Sequence, residues 1–404
     1  MIKRSFGVLR FLNRQHIWPV RASAACVGGL IALVSTGRLG LARELFGQFY
    51  NGFFKLGGRR TGFYLYAGWM KRKLAHDPFF NFTEGMSPNE LSVLSDWILS
   101  RRNALSIELF SGHMMLLEAA HAHWALETDD QDGFEAHLKQ FKHYADLLLG
   151  NVVENDDVPV ELDADVRDTP GFVQNAAEVL RDFERDLPIE QWRWFVVGGT
   201  FLGLVRDKDF MPHDVDLDVG LFLDDLDLVA FEAVFENSDH FSIAKFDYQT
   251  EIYRDAEGHA QLRRVPAMLK IVHSNGVNLD VFLHERRDGK IWHGSGVNKW
   301  VNAPFKLAPY EIKGQKVLGP DDADHYLREH YGEWRVVVKN FSCITGTTNL
   351  AFVKNLHTIA VLLKRYAHFS KARPAEAKKV LRELREQGYI EINDGTKSLS
   401  NHIV

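Results

Sequence analysis

After Pro212 the chain reads His213-Asp-Val-Asp-Leu-Asp-Val219, three acids alternating strictly with three aliphatic residues. That pattern leaves little freedom. Side chains on a β-strand alternate between faces with a period of two. Asp214, Asp216 and Asp218 therefore share one face, and Val215, Leu217 and Val219 the other. The expected element is a strand buried on its aliphatic side. Three like charges on its opposite face repel one another. A bound cation removes that cost, and oxygen ligands select Mg²⁺ or Mn²⁺. The plain alternative for an Asp-rich segment is a solvated turn with helix caps. It suits Asp224 and Asp225, just downstream, better than the alternating three.

Upstream, Trp194 to Val197 is a short apolar β-type run that ends in the turn Gly198-Gly199-Thr200. Glycines let a backbone approach phosphate closely. Downstream, Val277 to His284 is a further strand candidate, and Asp280 is its lone acid. A charge in an apolar strand is costly unless paired or bound to metal, which makes Asp280 the best third carboxylate. Carboxylates that bind metal, beside a phosphate-friendly turn, imply phosphoryl or nucleotidyl transfer.

The rest of the chain frames this centre. With 404 residues, two domains are expected. Residues 1–150 read as an all-α domain of helical hairpins, from the helix-spaced apolars of Leu39 to Phe54, a helix opened by Ser87-Pro-Asn-Glu90, and helical periodicity over Asn103–Leu126 and Asp132–Leu149. Residues 151–170 are an acidic linker. A mixed α+β domain follows over 171–345, with a helix at 171–187, a helix over Asp225–Asn237 capped by Asp224 or Asp225, and strands at Phe241–Phe246 and Ala267–His273. Residues 346–404 return to helices, including Pro374–Gln387. A net charge of −6 argues against nucleic acid as a partner. The two cysteines, Cys26 and Cys343, form no disulfide framework, which fits a reducing, cytoplasmic setting. The apolar run Ala22–Val34 is too short to span a bilayer and reads as a buried or interfacial helix, with a signal or anchor as the alternative. The basic, aromatic stretch Phe54–Lys73 offers either a solvated helix face or contact with an anionic membrane or polymer, so a protein partner or a peripheral place at the inner membrane face is a second expectation for this domain.

Two motifs carry a family resemblance. Gly199-Thr-Phe-Leu-Gly-Leu-Val-Arg206 followed by Phe210-Met-Pro-His-Asp-Val-Asp-Leu-Asp218 resembles the signature of the LicD/fukutin family, a branch of the nucleotidyltransferase superfamily. Pro304 to Gly314, Val317 to Pro320 and Tyr326-Leu-Arg-Glu-His-Tyr-Gly-Glu-Trp334 resemble its downstream segment, in the same order. The resemblance covers about residues 171–340. It implies a nucleotidyltransferase-like mixed sheet with flanking helices. Family members usually carry Trp-Asp-Asp-Asp-Ile-Asp, whereas here His213 replaces the Trp and Val215 the middle Asp. The family pattern favours Asp216 and Asp218 as metal ligands with Asp280 third, and leaves Asp214 outer-sphere or structural.

The resemblance also implies a reaction: transfer of a phospho-alcohol from a CDP-linked donor to a saccharide hydroxyl, as in capsule or lipopolysaccharide modification. Gly198, Gly199 and Thr200 would hold the donor phosphate. Arg206 would neutralise its developing charge, with a surface ion pair as the alternative. Lys270 either reaches phosphate or faces solvent. His213 is a secondary candidate for the base, against a structural role. Trp292, Trp300 and Trp334 are expected mainly in the core. Two other functions compete: a nucleotidyltransferase acting on a protein, RNA or small molecule, and an inactive scaffold working through the helical domain. The downstream motif favours the phosphotransferase, and the complete Asp set argues against the scaffold.

Overall fold

The computed structural model describes residues 83, 86–153, 171–338, 341, 346–400 and 403. The expectations for Met1–Arg21, Ala22–Val34, Leu39–Phe54, Phe54–Lys73 and the acidic Glu154–Asp168 lie outside them. The chain divides into two compact units, Met1–His113 and Met114–Val404. That division falls inside a helix, ahead of the boundary expected near residue 150.

In the first unit, α1 (Pro88–Ser100) starts where its capping residues place it. The Ser87 amide donates to Glu90 Oε2 at 2.8 Å, and Pro88 occupies the first turn, where no helical N–H is needed. Leu91, Leu94 and Ile98 form its buried stripe. The next helix, α2 (Ile107–Glu127), begins in this unit and ends in the second.

The second unit holds α3 (Gln131–Leu149), α4 (Phe172–Asp186), the short α5 (Ile189–Trp192), β1 (Phe195–Val196), α6 (Gly198–Arg206), β2 (Asp216–Phe222) and α7 (Leu228–Glu236). Next come β3 (Phe241–Arg254), β4 (Ala260–His273), β5 (Asn278–Arg287), β6 (Lys290–Ser295), β7 (Asn298–Asn302), β8 (Leu307–Ile312), β9 (Gln315–Pro320) and α8 (Ala323–Tyr331). The chain closes with β10 (Leu350–Phe352), α9 (Leu356–Ala372), α10 (Pro374–Glu386) and a separate hairpin, β11 (Ile390–Asn393) with β12 (Thr396–Leu399). The fold is α+β, a large mixed sheet flanked by helices.

Strand β5 organises that sheet. Its first part lies between β2, parallel, and β4, antiparallel. Its last residues, Glu285 to Arg287, pair with β6 instead. The sheet therefore parts along β5 into a hairpin arm (β3–β4) and a second wing (β6–β7–β10). On the other side β2 pairs with β1, which runs parallel to β9. The core beneath is aromatic: the Phe183 ring on α4 stands 5.2 Å from Trp194, 6.0 Å from Phe235 and 6.1 Å from Phe241. Each such fully buried side chain contributes about 1.5–3 kcal/mol.

Four expectations are corrected. The strands expected at Phe241–Phe246 and Ala267–His273 are two fourteen-residue strands of one hairpin. Register shifts at Ile243/Lys245 and Asp247/Tyr248 break the alternation that would have revealed their length. The helix after β2 is capped by Asp227, which accepts from the Val229 and Ala230 amides. Asp224 and Asp225 pair with Arg286 instead. Asp214 and Val215 precede β2, and Val215 is 62% exposed rather than packed on the aliphatic face. Finally, the C-terminal region is not purely helical. Leu350–Phe352 joins the sheet edge beside β7, and Asp394-Gly395, both at positive φ, turn the last hairpin.

Helix α3 is tied into the second unit at both ends. Gln131 exchanges two hydrogen bonds with the Ala260 backbone, at 2.9 and 3.0 Å, and Asp146 accepts from the Leu399 amide at 2.8 Å.

Candidate active site

Three adjacent strands and one helix start build the site. β1 ends at Val196, and the chain turns directly into α6 at Gly198. The glycines expected as a loop thus form a helix N-terminus, whose free amides favour negative charge. The Gly199 amide donates to Asp218 Oδ2 at 2.8 Å. Gly198 has φ +52, and a Cβ there would come within 2.5 Å of the same oxygen, so only glycine fits both the backbone and the approach. A Cβ on Gly199 would lie 2.8 Å from Asp214 Oδ2, which places Asp214 at the same glycines although it lies outside the strand. Thr200 is buried, and its hydroxyl accepts from the Asp218 amide at 2.8 Å. It locks the helix start onto the acid strand.

The parallel register sets Asp218 opposite Asp280, and the antiparallel register sets Asp280 opposite Lys270. Asp216 lies two residues from Asp218 on the same strand and face. The Lys270 ammonium stands 2.8 Å from Asp280 Oδ1, 3.1 Å from Oδ2 and 3.9 Å from Asp216 Oδ2. Leu217, Val219, Leu279 and Val281 point the other way into the core.

Burial dominates the electrostatics. It raises the Asp216 carboxyl to about 6, helped by the charges of Asp280 and Asp214 and opposed by Lys270. Asp218 is pushed well above the usual carboxylate range, first by burial and then by Asp216, Asp214 and Asp280, with the Gly199 amide opposing. Asp214 is raised by burial as well. Burial works against the Lys270 ammonium, yet the hydrogen bond and charge of Asp280, with Asp216 and Asp218, hold its pKa above the ordinary value. Four carboxylates thus share one ion-paired cation among the described residues. Asp280 Oδ1 is buried and accepts no hydrogen bond of good geometry. The all-oxygen donor set of Asp216, Asp218 and Asp280 is of the kind that could hold a hard cation.

The remaining expected residues sit around this centre. Arg206, at the end of α6, makes a two-pronged pair with Asp207 at 2.8 and 3.0 Å, and its Nη2 reaches Met211 Sδ at 3.3 Å. The Met211 side chain in turn lies against the Gly199 position. One residue therefore separates Arg206 from the glycines. His213 lies beside Asp214 in the loop before β2, partly exposed. Trp300 and Trp334 are buried, with their indole N–H groups on Thr347 and Asp324. Trp292 is half-buried between the cations of Arg287 and Lys299.

The downstream motif packs directly on the upstream one. The Phe201 ring meets Tyr310 at 5.4 Å and Tyr326 at 5.7 Å, and Gly319 leaves room for it. Residues 191–310 match the family described as LicD/FKTN/FKRP, nucleotidyltransferase domain. Over these residues the chain is similar to the LicD family. A comparison with curated proteins finds no match. The similarity points to a transferase. The matched span covers Asp214, Asp216, Asp218, Asp280, Lys270 and the glycine pair of the LicD domain, and stops within β8.

One group was not anticipated. Asp182 on α4, His240 before β3 and His273 at the end of β4 bring possible ligand atoms within 4.8 Å of one another, close enough to hold a metal ion. Most of their polar atoms have partners without one. The Asn275 amide donates to His273 Nδ1, so Nε2 carries the proton and donates to Asp182 at 3.0 Å. Arg185 donates to His240 Nε2, so His240 Nδ1–H faces Asp182 Oδ2 at 3.6 Å. Arg185 also donates to Asp182. Although burial opposes it, these donors hold the Asp182 carboxyl below its ordinary pKa. The trio fastens α4 to the open end of the hairpin, and its two imidazoles suit Mg²⁺ poorly. Residues so far apart in sequence gave no signal before folding.

Proposed function

We propose that this protein transfers a phospho-alcohol, of the phosphocholine, ribitol phosphate or glycerol phosphate type, from a CDP-linked donor to a hydroxyl of a cell-surface glycan, in a Mg²⁺- or Mn²⁺-dependent reaction. The observation that carries the reading is the register that sets Asp218, Asp280 and Lys270 in one row, with Asp216 beside them, at the start of α6. Asp216, Asp218 and Asp280 would hold the metal, which supplies charge neutralisation on the donor's pyrophosphate. The chain's own groups do the rest. The Gly199 amide holds the Asp218 carboxylate, and the Thr200 hydroxyl holds the Asp218 backbone amide. Lys270 and the start of α6 supply positive potential for the donor phosphates. Arg206 is one side chain away, and its guanidinium suits two-pronged phosphate contact once it leaves Asp207. Asp214 or His213 would receive the proton of the acceptor hydroxyl; both are partly exposed in the loop before β2, next to the exposed Val215.

The test is CMP release from CDP-choline, CDP-ribitol, CDP-glycerol and CDP-ethanolamine with Mg²⁺, against Asp216→Ala and with CTP and ATP as controls. Release from one CDP-alcohol that depends on Asp216 is expected, including slow hydrolysis without acceptor. Pyrophosphate release from a nucleoside triphosphate would replace this reading with nucleotidyl transfer. Failure to bind either Mn²⁺ or CDP would remove the enzymatic reading altogether.

A further inference from the structure

We propose that Lys270 is the resident counter-ion of the acid cluster: it stands in for the metal at Asp280 and passes to an anionic ligand when the metal enters. The inference rests on the reading of Asp216, Asp218 and Asp280 as a metal centre. The antiparallel register of β4 and β5 aims Lys270 straight at Asp280, so its place follows from the backbone. Its ammonium touches both oxygens of Asp280, at 2.8 and 3.1 Å, and is 3.9 Å from Asp216. It therefore stands between two of the carboxylates that a divalent cation must bring together. Among the described residues it is the one cation paired with Asp214, Asp216, Asp218 or Asp280.

Two charges compete for one position. An ammonium on Asp280 compensates the metal-free site, and it competes with a metal for that carboxylate's oxygens. On leaving, it remains on the same sheet face, close to whatever anion the metal brings. The side chain is 30% exposed, so it has an open side to move toward. The two binding events are then coupled. An anionic ligand draws Lys270 off Asp280 and so strengthens metal binding, and metal strengthens anion binding by the same factor. The site binds free Mg²⁺ weakly and fills more readily when metal and donor arrive together. Edge-strand lysines often only guard against aggregation, but Lys270 is on an interior strand, hydrogen-bonded between β3 and β5.

The experiment is a Mn²⁺ titration followed by electron paramagnetic resonance, on the full chain, first without nucleotide and then with CDP. Wild type, Lys270→Met, Lys270→Gln and Asp216→Asn are compared. Without nucleotide, both Lys270 variants should bind Mn²⁺ roughly tenfold more tightly than wild type, or better. CDP should tighten Mn²⁺ binding in wild type and have much less effect in the variants. A gain of affinity cannot come from misfolding, and agreement between Met and Gln separates the charge from the packing of the stem. Unchanged or weaker Mn²⁺ binding in both variants, while Asp216→Asn abolishes it, overturns this inference and leaves the metal centre standing. Absence of Mn²⁺ binding in every form, wild type included, overturns both.

Discussion

Asp218 carries two burdens that a single substitution can separate. It is a proposed ligand, and it is a partly buried acid among other acids. Asp218→Asn keeps an acceptor for the Gly199 amide and removes the charge. The metal-free variant should therefore melt higher than wild type, while CMP release falls by more than about a hundredfold. Calorimetry beside the activity assay checks both. At Gly198 the expectation is a loss of stability. Alanine there meets a φ of +52 and the Asp218 oxygen at 2.5 Å, so urea unfolding should show a loss of about 1–3 kcal/mol. The pH dependence follows from Asp216. Its carboxyl lies at about 6 when folded, against 3.8 for the ordinary group, so the folded state binds the proton more tightly. That stabilisation is complete below pH 3.8 and is lost as pH rises through about 6. The metal-free melting temperature should fall across this window, and Mg²⁺ should raise it more above the window than below. Equal Mg²⁺ effects on both sides would contradict the assignment. At this scale the sequence singled out the acids that the fold brings together, because a lone acid in an apolar strand has few other uses. It did not reveal that the Thr200 hydroxyl accepts from the acid strand, since that bond exists only once β1, α6 and β2 have met.

Elements were legible where their signals are local. The Ser87-Pro-Asn-Glu90 start and the periodicity of α3 and α4 each depend on residues within a turn or two. The hairpin β3–β4 was read at half its length, because two irregularities shift the side-chain alternation and its outer residues are charged. The Asp394-Gly395 turn was a local signal that went unused. How α4 meets the hairpin is a different matter, since Asp182, His240 and His273 come from three elements. Asp182→Ala would leave the buried His273 Nε2–H without its acceptor. A loss of about 1–3 kcal/mol is expected, read by chemical unfolding, with faster hydrogen exchange at the junction of β3 and β4.

At the scale of the whole molecule, the second unit depends on its last strands. β10 hydrogen-bonds to β7, Asn355 donates to the Thr250 carbonyl on β3, and Asp146 on α3 accepts from Leu399. A chain ended at residue 345, the edge expected for the catalytic domain, should lose its cooperative melt; a sharp transition in the truncated chain would show that these ties are dispensable. No helix among the described residues is long and apolar enough to cross a membrane.

The alternation of acids and aliphatics from Asp216 to Val219 determined, unaided, that a strand would carry carboxylates on one face, because side-chain alternation is a property of any extended backbone. The glycine pair and the lone Asp280 followed from equally local chemistry. Only the tertiary structure decided that β2 and β5 lie side by side with Asp218 opposite Asp280, that the glycines open a helix rather than a loop, and that Lys270 stands among the acids. Strand order and register depend on which distant segments bury their apolar faces together, and no window of sequence contains both partners.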